Sequence, residues 1–322
     1  MPAPGWARTA LIVVNPAAGG VNAPLVDETT RCCAPCVKWD LVRARDRAET
    51  ADAAAKAYEN GVDVVVALGG DGTARDVASG IARRGGVEGG TAMINLPAGT
   101  GNSFYREIWS DRPWQQALRA ALTTERPRLR RVDLARIVEL DTLVLLGACS
   151  GLVAEALVTA GRLTDVPGRD RYRQAVARTL RTFRPYPGRV SVDGTVVHEG
   201  TAVLANVGGG RYRGGQFKLL PHSELDDGLL DVCVVGGELD PAALPGLTAD
   251  GSHVDRPESV YARGRRITLE RTDGAPLAFE HDGELPATDA THYTLEVLPH
   301  ILPVLAPPPT HRNSYTHTKG WS

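Results

Sequence analysis

The sequence predicts an N-terminal α/β domain built on a parallel sheet, followed by an antiparallel, β-rich C-terminal domain. Two patterns carry that prediction. Through the first third of the 322 residues, continuous apolar runs alternate with helical stretches. Strands that are apolar on both faces, with helices between them, suit a parallel sheet covered on both sides. From about Arg128 the texture changes to strand after strand with few helices between them. The composition, 43% hydrophobic and 23% charged, is that of an ordinary globular protein, and the length allows two domains.

Element by element, "ALIVVN" reads as the first strand and "VKWDLV" as the second, with a helix between them. An alanine-rich helix over Ala48 to Glu59 leads to the strand "DVVVAL", a helix from Ala74 to Arg83, and the strand "TAMINL". "PWQQALRAALTT" closes the first unit with another helix. The boundary falls at Glu125 to Leu129, giving residues 1–126 and 127–302, with 303–322 returning to the first unit. In the second unit, "RVDLARIVEL", "TLVLLGACS", "TAVLANVGGG", "LLDVCVVGG" and "HYTLEVLP" are strand-like. Asp170 to Tyr186 reads as a helix with apolar Ala175, Val176, Leu180 and Phe183, and charged Arg173, Arg178, Arg181 and Arg184. A basic amphipathic segment of this kind suits an anionic membrane surface, or a solvated face over a core. The tail after Pro307 is proline-rich, then polar, and reads as disordered.

A net charge of −2 gives no global attraction to nucleic acid. No stretch is long and apolar enough to span a bilayer, and the N-terminus reads as a strand rather than a signal peptide. These features place the protein in the cytoplasm. Of five cysteines, Cys32, Cys33 and Cys36 crowd into "CCAPC", without a second Cys or His pair at zinc spacing. They read as small thiols buried near a helix end.

Three turns carry the chemistry. "VNPAAGG", "LGGDGT" and "NLPAGTGN" each follow a predicted strand. A parallel strand that ends in glycines before a helix brings bare N–H groups to the carboxyl edge of the sheet, where phosphates bind. Asp71 repels phosphate on its own, so it fits there if Mg²⁺ lies between the two. One such turn is equally a helix cap; three at one sheet edge favour a nucleotide site.

These motifs, in this order, resemble the catalytic domain of the diacylglycerol kinase and sphingosine kinase family of lipid kinases. "VDLARI", "GACSGLVAEAL", "VLANVGGGRYRGGQFKLLPHSELDDGLLDV" and the closing "HDGELP" extend the likeness from about Ala10 to Pro307. GGDGT alone also occurs in NAD kinases and phosphofructokinases; GTGN and the final DGE favour the lipid kinase side.

The resemblance implies an NAD kinase/lipid kinase-like fold, with ATP and Mg²⁺ as cofactors and a lipid or lipid-like acceptor. It also implies a homodimer, while peripheral contact at the inner membrane face is the expectation that the basic segment Asp170 to Tyr186 raises. Asn15, Pro16, Gly19, Gly69, Gly70, Asp71, Gly72, Thr73, Arg75, Asp76, Thr100, Gly101 and Asn102 would form the nucleotide site. Asp282 and Glu284 both fit the base for the acceptor hydroxyl. Glu224, Asp227 and Leu229 would form a structural magnesium loop, and Asp133 would join Asp71 in an aspartate–water–magnesium network.

The chain departs from the family pattern in several places, among them Asp76 where many relatives have Glu and the missing threonine in "LVRARD", and two departures bear most on the site. Arg75 stands where many relatives have Asn, and Ser103 where many have Asp, leaving that network one negative charge short. On the first turn of its helix, Arg75 adds charge toward a phosphate or faces solvent. The departures keep two alternatives open: a kinase of a soluble metabolite such as NAD, and a nucleotide-binding sensor without catalysis.

Overall fold

The computed structural model describes residues 6–166 and 168–308. The element order in the first half is β1 (Thr9–Val14), α1 (Ala23–Cys33), β2 (Lys38–Arg43), α2 (Arg47–Glu59) and β3 (Val64–Gly69). It continues with α3 (Asp71–Ala82), β4 (Ala92–Pro97), α4 (Ser103–Trp109) and α5 (Trp114–Thr123). β1 pairs in parallel with β2 and β3, and β3 with β4, so the order is β4-β3-β1-β2. β3 is buried along its whole length, as a central strand covered on both faces must be.

The second half runs β5 (Arg128–Ile137), β6 (Thr142–Val144), β7 (Gly147–Gly151), α6 (Leu152–Gly161), α7 (Gly168–Thr179), β8 (Tyr186–Val192) and β9 (Thr195–Gly208). Then come β10 (Tyr212–Arg213), β11 (Phe217–Lys218), β12 (Leu230–Gly236), α8 (Leu244–Asp250), β13 (Ser259–Gly264), β14 (Arg266–Arg271), β15 (Phe279–His281) and β16 (His292–Ala306). Its pairings are antiparallel, in the order β13-β12-β9-β8-β14-β16. β16 joins the halves: it pairs along β5, and Val304 lies in parallel register with Met93 of β4. The predicted fold class, parallel α/β followed by antiparallel β, is the one observed.

Several elements differ from expectation. α3 begins at Asp71, three residues before the predicted start, because Gly70 itself serves as the cap. α7 ends at Thr179, and Tyr186 already opens β8. Pro185 and Pro187 keep Arg184 and Tyr186 out of helix, so the helix cannot run on to Tyr186 as expected. α6 is not among the elements expected from the sequence, because "LVAEALVTAG" is apolar almost all round and shows no amphipathic period. Cys32 and Cys33 are buried at the end of α1, and all five thiols are free. The proline-rich tail beyond residue 308 lies outside the described residues.

One core fills the first half around Ile12, Val66, Ile94, Phe104 and Leu118. A second lies within the antiparallel half around Ile267, Val232 and Tyr293. A third, around Leu152, Phe183, Leu204, Leu220 and Leu244, packs α6 and α8 on the sheet and forms the floor of the cavity described below.

Candidate active site

The three glycine-rich turns meet at the carboxyl edge of the parallel strands. The Asn15 side-chain amide donates to the Thr73 hydroxyl at 3.0 Å, and the Gly20 N–H to the Ala98 carbonyl at 2.9 Å. Gly70 and Gly99 touch backbone to backbone: a Cβ on Gly99 would stand 2.4 Å from the Gly70 Cα. Only glycines permit that approach. α1 and α2 are capped by the side chains of Asn22 and Asp46, whereas α3 has no side-chain cap. Its first N–H groups are left to meet an anion, with the positive end of the helix behind them.

Asn102 spends its side chain on its own turn, accepting from the Gly99 N–H at 2.8 Å and donating to the Gly99 carbonyl at 2.9 Å. That clamp holds it in the left-handed region, at φ 58°. The Asp71 carboxylate reaches across to α4 and accepts from the N–H groups of Ser103 and Phe104 at 3.0 and 2.9 Å. Burial pushes the Asp71 carboxyl up, and those two hydrogen bonds oppose it. Ser103 is itself a link, because its hydroxyl accepts from the Gly215 N–H at 2.9 Å and ties α4 to the β10–β11 loop.

Arg75 neither faces solvent nor points alone at a phosphate. It lies on the second turn of α3, 2% exposed. Its guanidinium donates to Asp76 at 2.8 and 3.1 Å and to Glu284, from the other half of the chain, at 2.9 Å. Arg47 of α2 pairs with Glu284 too, and its guanidinium stands 3.5 Å from Asp76. Burial raises the Glu284 carboxyl, but Arg75 and Arg47 outweigh it and hold the group below its ordinary value. For Asp76 the balance is reversed, and burial wins over Arg75.

Asp282 has a different environment. It sits at φ 47°, and its two oxygens accept from the N–H groups of Leu145, Leu146 and Gly147 at 2.7, 2.9 and 3.1 Å. The two acids of the DGE motif are thus separated: Asp282 lines a cavity with Asp71, and Glu284 belongs to the arginine cluster.

That cavity, of about 290 Å³, has a lining of two kinds. One is apolar, from Leu152, Val153 and Leu157 of α6, Val176 of α7 and Leu244 of α8. The other is polar, from Asp71, Thr100, Ser103, Arg213, Glu280 and Asp282. Arg213 donates to the Tyr212 carbonyl at 3.2 Å, while its buried Nε and Nη2 find no partner among the described residues. Gly147 and Gly208 make room for its guanidinium: a Cβ on Gly147 would stand 1.8 Å from Nη2. Glu280 is buried as well, accepting from the Gly283 N–H at 2.9 Å. Burial pushes its carboxyl up to about 7, with Arg213 and that hydrogen bond opposing and the Asp282 charge adding.

Neither Glu280 nor Arg213 stands out among the candidate site residues of the sequence. A signal existed for Glu280. It ends the apolar run Pro276 to Phe279 in the short strand β15 that leads into the DGE turn.

The expected magnesium loop is built differently from a metal cage. Asp227 pairs with Arg263 and accepts from the Leu229 N–H at 3.1 Å, and Asp226 pairs with Arg130. Asp133 is buried on β5, accepting from the N–H groups of Gly228 at 2.7 Å and His300 at 2.6 Å; it is not part of the cavity lining that holds Asp71. Glu224 stands in the same loop. Among the described residues, no three His, Cys, Asp or Glu side chains converge as a metal site. The ligand set that the resemblance implies is one carboxylate, from Asp227, with backbone carbonyls at the neighbouring loop positions, and that carboxylate lies against Arg263. A magnesium ion carried by a nucleotide needs one or two carboxylates beside the phosphates, and Asp71 fits that role.

Comparison with known proteins agrees with this architecture. The diacylglycerol kinase catalytic domain matches residues 9–137, and the YegS C-terminal NAD kinase beta sandwich-like domain matches residues 147–306. A Pseudomonas aeruginosa protein named "Probable lipid kinase YegS-like" is 32% identical over 259 residues, 80% of each chain. A diacylglycerol kinase of Mycobacterium tuberculosis is 29% identical over 223 residues, 67% of this chain and 69% of its own. The crystal structure of a diacylglycerol kinase from Bacillus anthracis strain Sterne shares the fold. Its TM-score is 0.68 at 20% identity, over 94% of this chain and 98% of that one.

Proposed function

The chain belongs to the diacylglycerol kinase-like catalytic family, and from that premise we propose that its acceptor is an amphiphile whose hydroxyl adjoins an apolar chain. It is an ATP-dependent kinase acting on a hydroxyl group, of the lipid kinase kind. The observation that carries the finer reading is the mixed lining of the cavity, apolar side chains beside polar ones. Its apolar side chains suit an acyl or alkyl chain, and its polar lining includes Asp71 and Thr100 of the glycine turns. Diacylglycerols and sphingoid bases have that shape.

In this reading the nucleotide's phosphates lie along the N–H groups of the glycine turns and the start of α3. Magnesium bound with the nucleotide supplies neutralising charge for the transferred phosphoryl group. Asp71 holds α4 in register with the glycine turn, and the Arg213 N–H groups face the cavity as donors for an oxygen-rich head group. Glu284, bound to two guanidinium groups, fixes the DGE loop against α3 rather than facing the acceptor. Arg173, Arg178, Arg181 and Arg184 are exposed along α7 and the segment after it, while Val176 faces the cavity. That arrangement supports a peripheral approach to an anionic bilayer. Among the described residues, no helix is long and apolar enough to cross one.

The test is ATP-dependent transfer to diacylglycerols of increasing chain length in mixed micelles. KM falls with each added methylene until the apolar lining is covered; a KM indifferent to chain length argues against the assignment.

A further inference from the structure

We propose that Glu107 of α4 is a positioning residue for the acceptor: it holds the β10–β11 hairpin in place as one wall of the cavity. The proposal rests on the acceptor reading above and adds to it a residue that does not itself line the cavity.

The hairpin cannot fix its own place. β10 and β11 are two residues each and pair only with one another, apart from the large sheet. A two-stranded hairpin alone is marginally stable in water. Yet Arg213, Gly214, Gln216 and Phe217 all line the cavity, so one short element supplies both polar and apolar lining. On the far side the Phe217 ring meets that of Tyr172 from α7, with centroids 6.5 Å apart. The placement of the hairpin therefore sets the shape of the space.

α4 provides the hold. Ser103, Arg106 and Glu107 stand at i, i+3 and i+4 and so share one face of the helix. The Ser103 hydroxyl accepts from the Gly215 N–H at 2.9 Å, and Arg106 donates to the Gly215 carbonyl at 2.6 Å. The Arg106 guanidinium also lies 4.3 Å from the centre of the Tyr212 ring. Glu107 gives both of its oxygens to the hairpin and the residue before it. One accepts from the Arg211 guanidinium and the other from the Tyr212 N–H, each at 2.9 Å. The Glu107 side chain is 1% exposed, against 40% for Arg211. A carboxylate so buried is tolerable only while paired, so the chain is held where Arg211 and Tyr212 meet that charge. Phe104 and Ile108 of the same helix are set in the core of the first half, which makes α4 a rigid mount.

The test compares wild type, Glu107→Gln, Arg211→Ala and Glu107→Ala in transfer from ATP to dioctanoylglycerol in mixed micelles, together with hydrogen exchange over residues 211–218. Glu107→Gln keeps an oxygen for the Tyr212 N–H and loses the ion pair. Arg211→Ala loses the same ion pair from its exposed side, without touching the helix. Each should raise KM for the lipid roughly tenfold, leave KM for ATP unchanged and speed exchange in the hairpin. Glu107→Ala, which loses both ties, should raise the lipid KM further, so that Gln restores part of what Ala removes. An unchanged lipid KM in Glu107→Gln and Arg211→Ala overturns the proposal. So does a parallel rise in the KM for ATP, which would mean that α4 as a whole has loosened. If wild type phosphorylates no lipid, the acceptor reading fails, and exchange alone judges the hold. Faster exchange in Glu107→Gln and Arg211→Ala then supports it, and exchange equal to wild type overturns it.

Discussion

Arg75 of α3 donates to Glu284 of the DGE loop at 2.9 Å, joining the nucleotide edge of the first half to the closing motif of the second. The same guanidinium holds its neighbour Asp76. An off-pattern residue thus serves as a buried strut between two motifs that lie more than 200 positions apart in sequence. Removing it leaves Asp76 with only the more distant Arg47 and takes one of two cations from Glu284. Arg75→Ala should lower the unfolding free energy by about 3 kcal/mol, read from urea denaturation. A double-mutant cycle with Glu284→Gln should return a coupling of about 1–2 kcal/mol. Additive effects would show that the contact carries no energy of its own.

Contact between the glycine turns is equally specific. A methyl group on Gly99 would collide with the Gly70 Cα at 2.4 Å, backbone against backbone. Gly99→Ala should cost about 1–3 kcal/mol and weaken ATP binding. Gly161→Ala, where a Cβ would have nothing within 4 Å, should leave ATP affinity unchanged. Titration calorimetry on both variants checks the contrast.

Glu280 makes stability depend on pH with a definite sign. Its folded-state value, raised from 4.5 to about 7, means that the fold favours the protonated acid. The favourable contribution is complete below about pH 4.5 and is lost as pH rises through about 7, a change of about 3 kcal/mol. Glu280→Gln removes that dependence while leaving every other titrating group in place. The variant should therefore melt higher than wild type at pH 8 and alongside it at pH 4.5. An equal offset at both pH values would contradict the assigned environment.

Crowding the apolar lining should act on the acceptor alone. Val176→Trp, on the α7 wall of the cavity, should raise KM for long-chain diacylglycerol severalfold while leaving KM for ATP unchanged. A rise in both would mean that the helix supports the nucleotide side instead.

Much of this was legible in the chain. The buried runs of β1, β3 and β4 and the glycines behind them announce a parallel sheet with an anion-binding edge, because backbone sterics leave few other uses for that pattern. The partners of the polar residues were not legible. Arg75 reads as a surface charge until the fold brings Glu284 beside it, and Ser103 reads as a loss until its hydroxyl is seen holding Gly215. Glu280 looked like one more acid in a hairpin because burial, which sets its chemistry, is a property of the fold. The cavity escaped for a related reason: α6 is apolar all round, and only α7 and α8 packing near it define an inside.

One measurement bears most directly on the central claim: the distribution of label from γ-³²P-ATP after incubation with a total lipid extract and, separately, with a soluble metabolite pool. The account predicts ATP-dependent label in the organic phase, on a hydroxyl-bearing lipid, and none above background in the soluble pool. Label confined to a water-soluble product would contradict it.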